Sequence, residues 1–128
     1  MSFTLHSSLT DRRELFVTTS IASKNELLKE LLSIPTIANE LLAELKVVPF
    51  TTNQVLFEQG DKIDYLYFPL DCVTSGLAIM EDGTTIETAM IGCESVVGMS
   101  TILGSGVSRQ WVWVTIAGNA IQLESRFL

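Results

Sequence analysis

Short stretches of β-branched and aromatic residues, each closed within a few positions by a turn signal, fill this chain from Val47 onward. That pattern is typical of β-strands. An Asp82-Gly83 pair predicts a β-hairpin, since glycine adopts the positive φ that a tight turn needs. The two strands that the pair joins are predicted at Val73 to Met80 and Thr85 to Met90. The short connections leave no room for crossover helices, so we expect antiparallel strands in a double-sheet jelly roll or Greek-key barrel.

The remaining strands are predicted at four places: Gln54 to Phe57, Asp64 to Leu70, Trp111 to Ile116 and Asn119 to Leu123. In the third of these, indoles and aliphatic side chains alternate, so one face carries Trp111 and Trp113 and the other carries the valines. Only one of these faces can lie fully in the core. The two indoles either stack on a base or take ordinary strand positions. In the second case one packs in the core or under the N-terminal helices, and the other covers an interface or lies partly exposed.

Two helices are predicted before residue 47, and the residues from Glu124 to Leu128 could start another. Ser23 and Glu26 have the spacing of a capping box, which places the first helix start at Ser23. Pro35 fits the first position of a second helix. The larger apolar positions of the first 20 residues follow no sustained period. We therefore expect a flexible arm over residues 1–22 and one β-roll domain with two short N-terminal helices over residues 23–128.

The composition limits the partners of this chain. With 128 residues and 47% hydrophobic residues, it can bury one compact core. Its 8 basic and 15 acidic residues give a formal charge of -7, which repels polyanions, so we expect poor DNA binding by this segment alone. No apolar run approaches the length that a bilayer requires, and the first ten residues do not resemble a secretion signal. We expect a cytoplasmic protein with no membrane contact.

The reactive residue types are too few for an enzyme or a metal centre. His6 is the only histidine and lies in the expected arm, so neither a catalytic triad nor a histidine-rich metal site is predicted in the barrel. Cys72 and Cys93 fall short of the roughly four thiolates of an iron–sulfur cluster. We expect both thiols to be reduced, structural and mostly buried. No catalytic or metal-binding residue is therefore predicted.

Three motifs occur in order: Val55 to Asp61 with Tyr65 to Pro69, then Glu81 to Gly83 with Glu87, then Ile91 to Gly98 with Leu103 and Gly104. Together they resemble the patterns "VLFEPGE…VYFP", "LEDG…E" and "VGxEGxVG…LLGG" of the cyclic-nucleotide-binding-like sensory domain of Crp/Fnr transcription regulators. The resemblance covers residues 25–128. It implies a β-roll whose third motif is followed by a phosphate-binding cassette.

The resemblance implies a ligand-binding site at Gly98, Met99, Ser100, Arg109 and Gln110. A helix start over Gly98 to Ile102 would offer backbone N–H groups to an anion, and Arg109 would add a charge-assisted contact. In cyclic-nucleotide binders a glutamate follows the glycine and a serine or threonine closely follows the arginine. Here Met99 and Gln110 stand there, and a thioether cannot replace the carboxylate that holds the ribose hydroxyl.

These departures argue against cyclic AMP and leave another small anionic effector open. Two ordinary roles for the site residues also stay open. Arg109 could instead pair with Glu94 or face solvent, and the glycines at 92, 98 and 104 could serve backbone geometry alone.

By resemblance, the main hypothesis is the effector-sensing and dimerisation domain of a bacterial regulator. The full-length protein would be a homodimer whose long helix and DNA-reading helix-turn-helix follow the roll. Neither element occurs before Leu128. The alternatives are a stand-alone β-roll that binds a protein and a small-molecule binder without a DNA-binding function.

Overall fold

The computed structural model describes residues 19–98 and 106–127. Residues 19–22 are helical, and Ala22 at their end is fully buried. The last four residues of the expected arm therefore belong to the folded domain, while its residues 1–18 lie outside the described part of the chain. Two α-helices follow, α1 (Glu26–Leu32) and α2 (Pro35–Leu41), and a 3-10 turn, Leu42–Glu44, leads into the strands.

The N-cap of α1 is Asn25, so the prediction of Ser23 was wrong. The Asn25 side chain accepts a hydrogen bond from the backbone N–H of Leu28 at 2.9 Å. The Ser23 hydroxyl instead donates to the carbonyl of Ser20 at 2.7 Å, within the preceding helical turn. Both residue types can cap a helix, and burial of Asn25 against the roll decides between them. Pro35 starts α2, as predicted.

Seven strands form two antiparallel sheets: β1 (Lys46–Phe50), β2 (Val55–Phe57), β3 (Tyr65–Pro69), β4 (Val73–Ile79), β5 (Thr85–Ile91), β6 (Trp111–Ile116) and β7 (Gly118–Glu124). Sheet A has the order β1-β7-β3 and sheet B the order β2-β6-β4-β5. A second 3-10 turn, Ser125–Phe127, follows β7. The predicted class, a mainly β double-sheet roll with two short helices, is confirmed.

The hairpin between β4 and β5 forms where the Asp-Gly pair predicted it. Ile79 and Thr85 are the last paired residues, and the backbone N–H of Met80 donates to the carbonyl of Thr84 at 2.7 Å. Gly83 has a φ of +87°, a conformation that other residues rarely adopt. The strand ends lie within one residue of their predicted positions.

The core lies on both faces of sheet A. One part packs the helices and both sheets together, through residues that include Ala22, Leu28, Leu41, Leu66, Phe68, Ile121 and Val112. The other part lies between the sheets and consists of Phe50, Cys72, Val114 and Ala120. Tyr67 contacts both parts, with its ring centroid 5.1 Å from Phe50 and 6.1 Å from Phe57. The helical cap and the roll therefore fold as one unit.

The burial of the side chains on β6 shows which face of this strand lies in the core. Val112 and Val114 are 4% and 0% exposed, whereas Trp111 and Trp113 are only half-buried. The valine face therefore lies inside the roll, and both indoles lie on the outer face of sheet B, so the expectation that one of them packs in the core was wrong.

Candidate effector site

The predicted ligand-binding site begins at Gly98, whose position is fixed by neighbouring hydrogen bonds and close packing. Just before it, Val97 pairs with Tyr67 of β3 through two backbone hydrogen bonds of 2.8 and 3.1 Å. Gly98 has a φ of +105°, and a Cβ there would lie 2.7 Å from Leu66 Cδ2 and 3.4 Å from Ile63 Cγ2. Its lack of a side chain is thus required by the backbone and by close packing. The structural interpretation of this glycine is the one that the geometry supports.

On the other side of residues 99–105, Gly106 also lies beside the buried residue Ile63. The backbone N–H of Ile63 donates to the carbonyl of Gly106 at 2.9 Å. Ser108 then pairs with the preceding turn: it donates to the carbonyl of Asp61 and accepts from Gly60, both at 2.8 Å. Ile63 is 3% exposed. The two described residues that flank residues 99–105, Gly98 and Gly106, therefore both lie beside Ile63.

The predicted site residues fall at three kinds of position. Met99 and Ser100 lie outside the described residues. Arg109 is exposed and Gln110 is half-buried, directly before β6. The buried side chain of this stretch is Ser108, which is 4% exposed and donates from its hydroxyl to the carbonyl of Gln110 at 2.7 Å. Sequence reasoning missed Ser108, because no periodicity precedes β6 that would mark a serine as buried.

The charge of Arg109 is not neutralised within the described part of the chain. The ion pairs among the described residues are Lys62 with Asp64 at 3.8 Å and Arg126 with Glu124 at 2.8 Å, and neither includes Arg109. Glu94, the alternative partner of Arg109, instead accepts a hydrogen bond from the backbone N–H of Gly92 at 3.0 Å. The guanidinium thus faces solvent three residues after Gly106, where an anion could reach it.

A different groove lies at the end of sheet A where β3 begins and β7 ends. It is an open cleft of about 360 Å³ lined by Lys62, Asp64, Tyr65, Glu124, Ser125 and Arg126. Its two cations are the partners of its two carboxylates in the ion pairs above. Because these charges compensate each other, the groove has little attraction for an anionic ligand. It is therefore a weaker candidate for an effector site than the Arg109 region.

The cysteines differ in their surroundings. Cys72 is 1% exposed in the core between the sheets, and burial raises the pKa of its thiol. Cys93 is half-buried, and both thiols are free. Among residues 19–98 and 106–127, no cluster of three or more His, Cys, Asp or Glu side chains could hold a metal ion. No helix in that part of the chain is long and apolar enough to cross a membrane.

No protein-family model matches the sequence, and none of the curated proteins matches it. Solved structures do match. The regulatory subunit of a cAMP-independent protein kinase A from Trypanosoma brucei, solved as a mutant with cAMP in its A site, aligns with a TM-score of 0.66 at 17% identity. The alignment covers 88% of this chain and 42% of that one.

Two bacterial structures also align with this chain, with slightly lower TM-scores. The N-terminal domain of a transcriptional regulator from Streptomyces coelicolor aligns with a TM-score of 0.62 at 20% identity, over 74% of this chain and 66% of that one. The sensor domain of the transcriptional regulator DNR from Pseudomonas aeruginosa aligns with a TM-score of 0.62 at 12% identity, over 96% of this chain and 73% of that one. All three neighbours are regulatory or sensor proteins.

The chain spans 42% and 66% of the first two of these solved chains, so the likeness concerns one domain. At these identities the shared property is the fold. The resemblance to Crp/Fnr sensory domains, which rested on three sequence motifs, is confirmed at this level: the chain has the cyclic-nucleotide-binding-like β-roll fold of such regulators.

Proposed function

We propose that this chain is the effector-sensing domain of a cytoplasmic Crp/Fnr-type transcription regulator, and that its effector is a small anion other than cyclic AMP. In this proposal the full-length protein is a homodimer, and DNA is read by a helix-turn-helix outside the chain. Binding on the roll would shift the position of that domain. The chain itself, with a formal charge of -7, would not bind DNA.

The observation that carries the proposal is the position of Gly98 and Gly106, the two described residues that flank residues 99–105, beside Ile63. In the family this segment corresponds to the phosphate-binding cassette. A Cβ at Gly98 would lie 3.4 Å from Ile63 Cγ2, and the carbonyl of Gly106 accepts a hydrogen bond from the Ile63 N–H; Ile63 is 3% exposed. A ligand that binds this segment would therefore act on the core and on β3, which begins two residues later. Such a connection between a surface site and the core is what a sensor requires.

The anionic character of the effector follows from Arg109. The side chain is exposed and has no carboxylate partner among the described residues. A guanidinium that is free of internal partners can bind a carboxylate or phosphate with two parallel hydrogen bonds. An exposed pair of this kind contributes about 1 kcal/mol or less, so the backbone of the neighbouring segment would have to supply further contacts.

The exclusion of cyclic AMP depends on two side chains of the predicted site. Met99 follows Gly98 where nucleotide binders have a glutamate, and Gln110 follows Arg109 where they have a hydroxyl residue. The ribose hydroxyl would lose its carboxylate partner. A buried polar group of the ligand left without a partner costs about 1–3 kcal/mol. We therefore expect cyclic AMP to bind this chain at least tenfold less well than an effector that lacks a ribose.

The proposal is tested by thermal unfolding of this chain with cyclic AMP, cyclic GMP, cyclic di-GMP and a panel of small phosphates and carboxylates. We expect no stabilisation by millimolar cyclic AMP and a rise in Tm with at least one small anion. That rise should disappear in Arg109→Ala and persist in Arg126→Ala, since Arg126 is also exposed but is paired with Glu124.

Two results would count against the proposal. Stabilisation by cyclic AMP would show that the ribose is recognised without the glutamate. A panel in which no anion stabilises the chain would favour the alternative, a stand-alone β-roll that binds a protein partner.

A further inference from the structure

The interior of the roll becomes polar at the end of sheet A where β7 finishes. Ala120 on β7 lies in the core between the sheets, and Gln122 and Glu124 follow it on the same face, both half-buried. Tyr65 pairs with Glu124 across the sheet. Lys46 pairs with Gln122. Paired residues point to the same face, so one face of three strands carries all four side chains.

This face forms the floor of an open cleft of about 340 Å³, which we call the tyrosine cleft. It adjoins the groove described above and shares Tyr65, Glu124 and Arg126 with it. Its lining residues are Glu44, Lys46, Tyr65, Gln122, Glu124 and Arg126.

Two carboxylates and two cations line the tyrosine cleft, and half of these charges are paired. Glu124 accepts a hydrogen bond from Arg126 Nε at 2.8 Å. Glu44 and Lys46 are exposed and form no ion pair among residues 19–98 and 106–127. A ligand with a single charge would be attracted by one of these two groups and repelled by the other. A ligand with one charge of each sign can pair with both, so the cleft favours a zwitterion.

The side chain of Gln122 supplies an unused acceptor on the floor of the cleft. Its Nε2 lies 3.5 Å from the Tyr67 hydroxyl, which is the one hydrogen bond of this side chain within the described part of the chain. The amide oxygen therefore has no donor there. An amide oxygen can accept hydrogen bonds from an ammonium group. Because Gln122 is half-buried, water satisfies this oxygen only in part, and a ligand that donates to it replaces what burial removes.

Tyr65 provides an apolar surface beside these polar groups. Its side chain is 39% exposed, although its ring centroid lies 6.5 Å from that of Tyr67. The Tyr67 ring in turn contacts Phe50 in the core, at 5.1 Å between centroids. The exposed ring is thus supported by the aromatic part of the core. The face of such a ring attracts cations and also packs against apolar atoms of a ligand.

We propose that the tyrosine cleft binds a free α-amino acid. The ammonium group of the ligand contacts the Glu44 carboxylate, the Gln122 amide oxygen and the Tyr65 ring. The carboxylate of the ligand contacts the Lys46 ammonium group. The cleft has the volume of a small-ligand site, which is about 300–1,000 Å³. Arg109 does not line it, so this site is separate from the anion site of the proposed function and goes beyond it.

The test is an NMR titration of the whole chain with a panel of L-amino acids at millimolar concentration. We expect at least one of them to shift the amide signals of Lys46, Tyr65 and Gln122 in a saturable way. Its N-acetyl derivative lacks the cation and its amide lacks the anion. Each derivative should bind at least about threefold less tightly, because one exposed charge pair is lost. A panel without a saturable shift, or with shifts only outside the cleft, would overturn the proposal.

Variants of the cleft identify the partner of each charge. Lys46→Met and Glu44→Gln should each weaken binding of the amino acid at least about threefold. Lys46→Met should leave binding of the amide derivative unchanged, since that derivative has lost the carboxylate that Lys46 contacts. The matched controls are Lys29→Met and Glu30→Gln, which make the same charge changes at exposed positions of α1. Both controls should leave binding unchanged.

Arg109→Ala separates this site from the anion site. It should remove the response to small anions and leave amino-acid binding unchanged, so either proposal can fail without the other. Equal weakening by the α1 controls would show a general effect of net charge and would overturn the cleft as a site. Binding that neither cleft variant alters would do the same. Far-UV circular dichroism establishes that each variant is folded.

Discussion

The side-chain amide of Asn25 donates a hydrogen bond to the carbonyl of Pro69 at 2.8 Å, across 44 residues of sequence. Its second N–H reaches the carbonyl of Ser95, also at 2.8 Å, while its oxygen caps α1 at Leu28. Asn25 is fully buried. One side chain therefore joins the helical cap, the end of β3 and the loop that leads to Gly98.

The first prediction concerns this junction. Asn25→Asp keeps the shape and the cap acceptor but replaces the two N–H donors with an oxygen that faces two carbonyls. We expect a loss of about 3 kcal/mol or more in the free energy of unfolding, because the buried carboxylate keeps one donor, the Leu28 N–H, while its second oxygen faces two carbonyls. Urea unfolding measures the loss. Asn39→Asp, at an exposed position of α2, should change stability by about 0.5 kcal/mol or less. Equal effects at the two sites would contradict this role of Asn25.

Sequence patterns predicted the parts of the fold that depend on near neighbours. The Asp82-Gly83 turn and the helix start at Pro35 are set by local backbone preferences, and both are confirmed. The N-cap was not predictable in this way. Ser23 and Asn25 are both good caps by residue type, and the choice depends on carbonyls of Pro69 and Ser95 that only the tertiary structure brings near.

The candidate site was less predictable for a related reason. The motif resemblance predicted Gly98 and Arg109 as site residues, and the structure adds a physical reason for the glycine, since a Cβ there would lie 2.7 Å from Leu66 and 3.4 Å from Ile63. The position of Ile63 beside Gly98 and Gly106 had no sequence signal, because a single isoleucine between strands has no period. Whether Met99 and Ser100 contact an effector stays a prediction.

The second prediction concerns Gly118 at the start of β7. A Cβ at this position would lie 2.8 Å from both the carbonyl carbon of Asp71 and the amide nitrogen of Cys72. These are backbone atoms, held by the hydrogen bond from Asn119 N–H to the Asp71 carboxylate at 2.5 Å. Gly118→Ala must displace this connection, so we expect a loss of about 2 kcal/mol or more, read from urea unfolding.

Gly92→Ala is the control for Gly118→Ala. A Cβ at Gly92 would meet the end of the Glu94 side chain at 3.2 Å, and that side chain can rotate away. Its cost should be clearly smaller, because only one exposed hydrogen bond is disturbed. A Gly118→Ala chain as stable as Gly92→Ala would show that the β3–β4 connection adapts freely.

The third prediction is a pH dependence of the hairpin turn. The Thr84 hydroxyl and backbone N–H donate to the Asp82 carboxylate at 2.6 and 2.9 Å and hold the pKa of Asp82 below its ordinary value of 3.8. Because the folded state has the lower pKa, the carboxylate stabilises the fold above the unfolded-state value. This stabilisation is lost as the pH falls through the folded-state pKa.

Wild type and Asp82→Asn measure this contribution by unfolding between about pH 7 and pH 2. The wild type should be the more stable at neutral pH, and the difference should close in acid. In a Thr84→Val background, which removes the hydroxyl donor, the pH-dependent part should shrink. A difference that is constant across this range would contradict the assigned hydrogen bonds.

The fourth prediction separates the two thiols by alkylation. Cys72 is 1% exposed, and burial holds its pKa above the ordinary value of 9.0, so its reactive thiolate is both scarce and shielded. Cys93→Ser, which leaves only Cys72, should react with iodoacetamide at least about tenfold more slowly at pH 8 than Cys72→Ser, which leaves the half-buried Cys93. In urea the two rates should converge, since unfolding removes the difference in burial. Native alkylation of Cys72 as fast as that of Cys93 would place its thiol outside the core between the sheets.

The raised pKa of Cys72 also affects stability, because the folded state keeps the thiol proton to a higher pH than the unfolded state does. The contribution of Cys72 to stability is therefore complete below pH 9.0 and is lost above it, as the pH rises through the folded-state pKa.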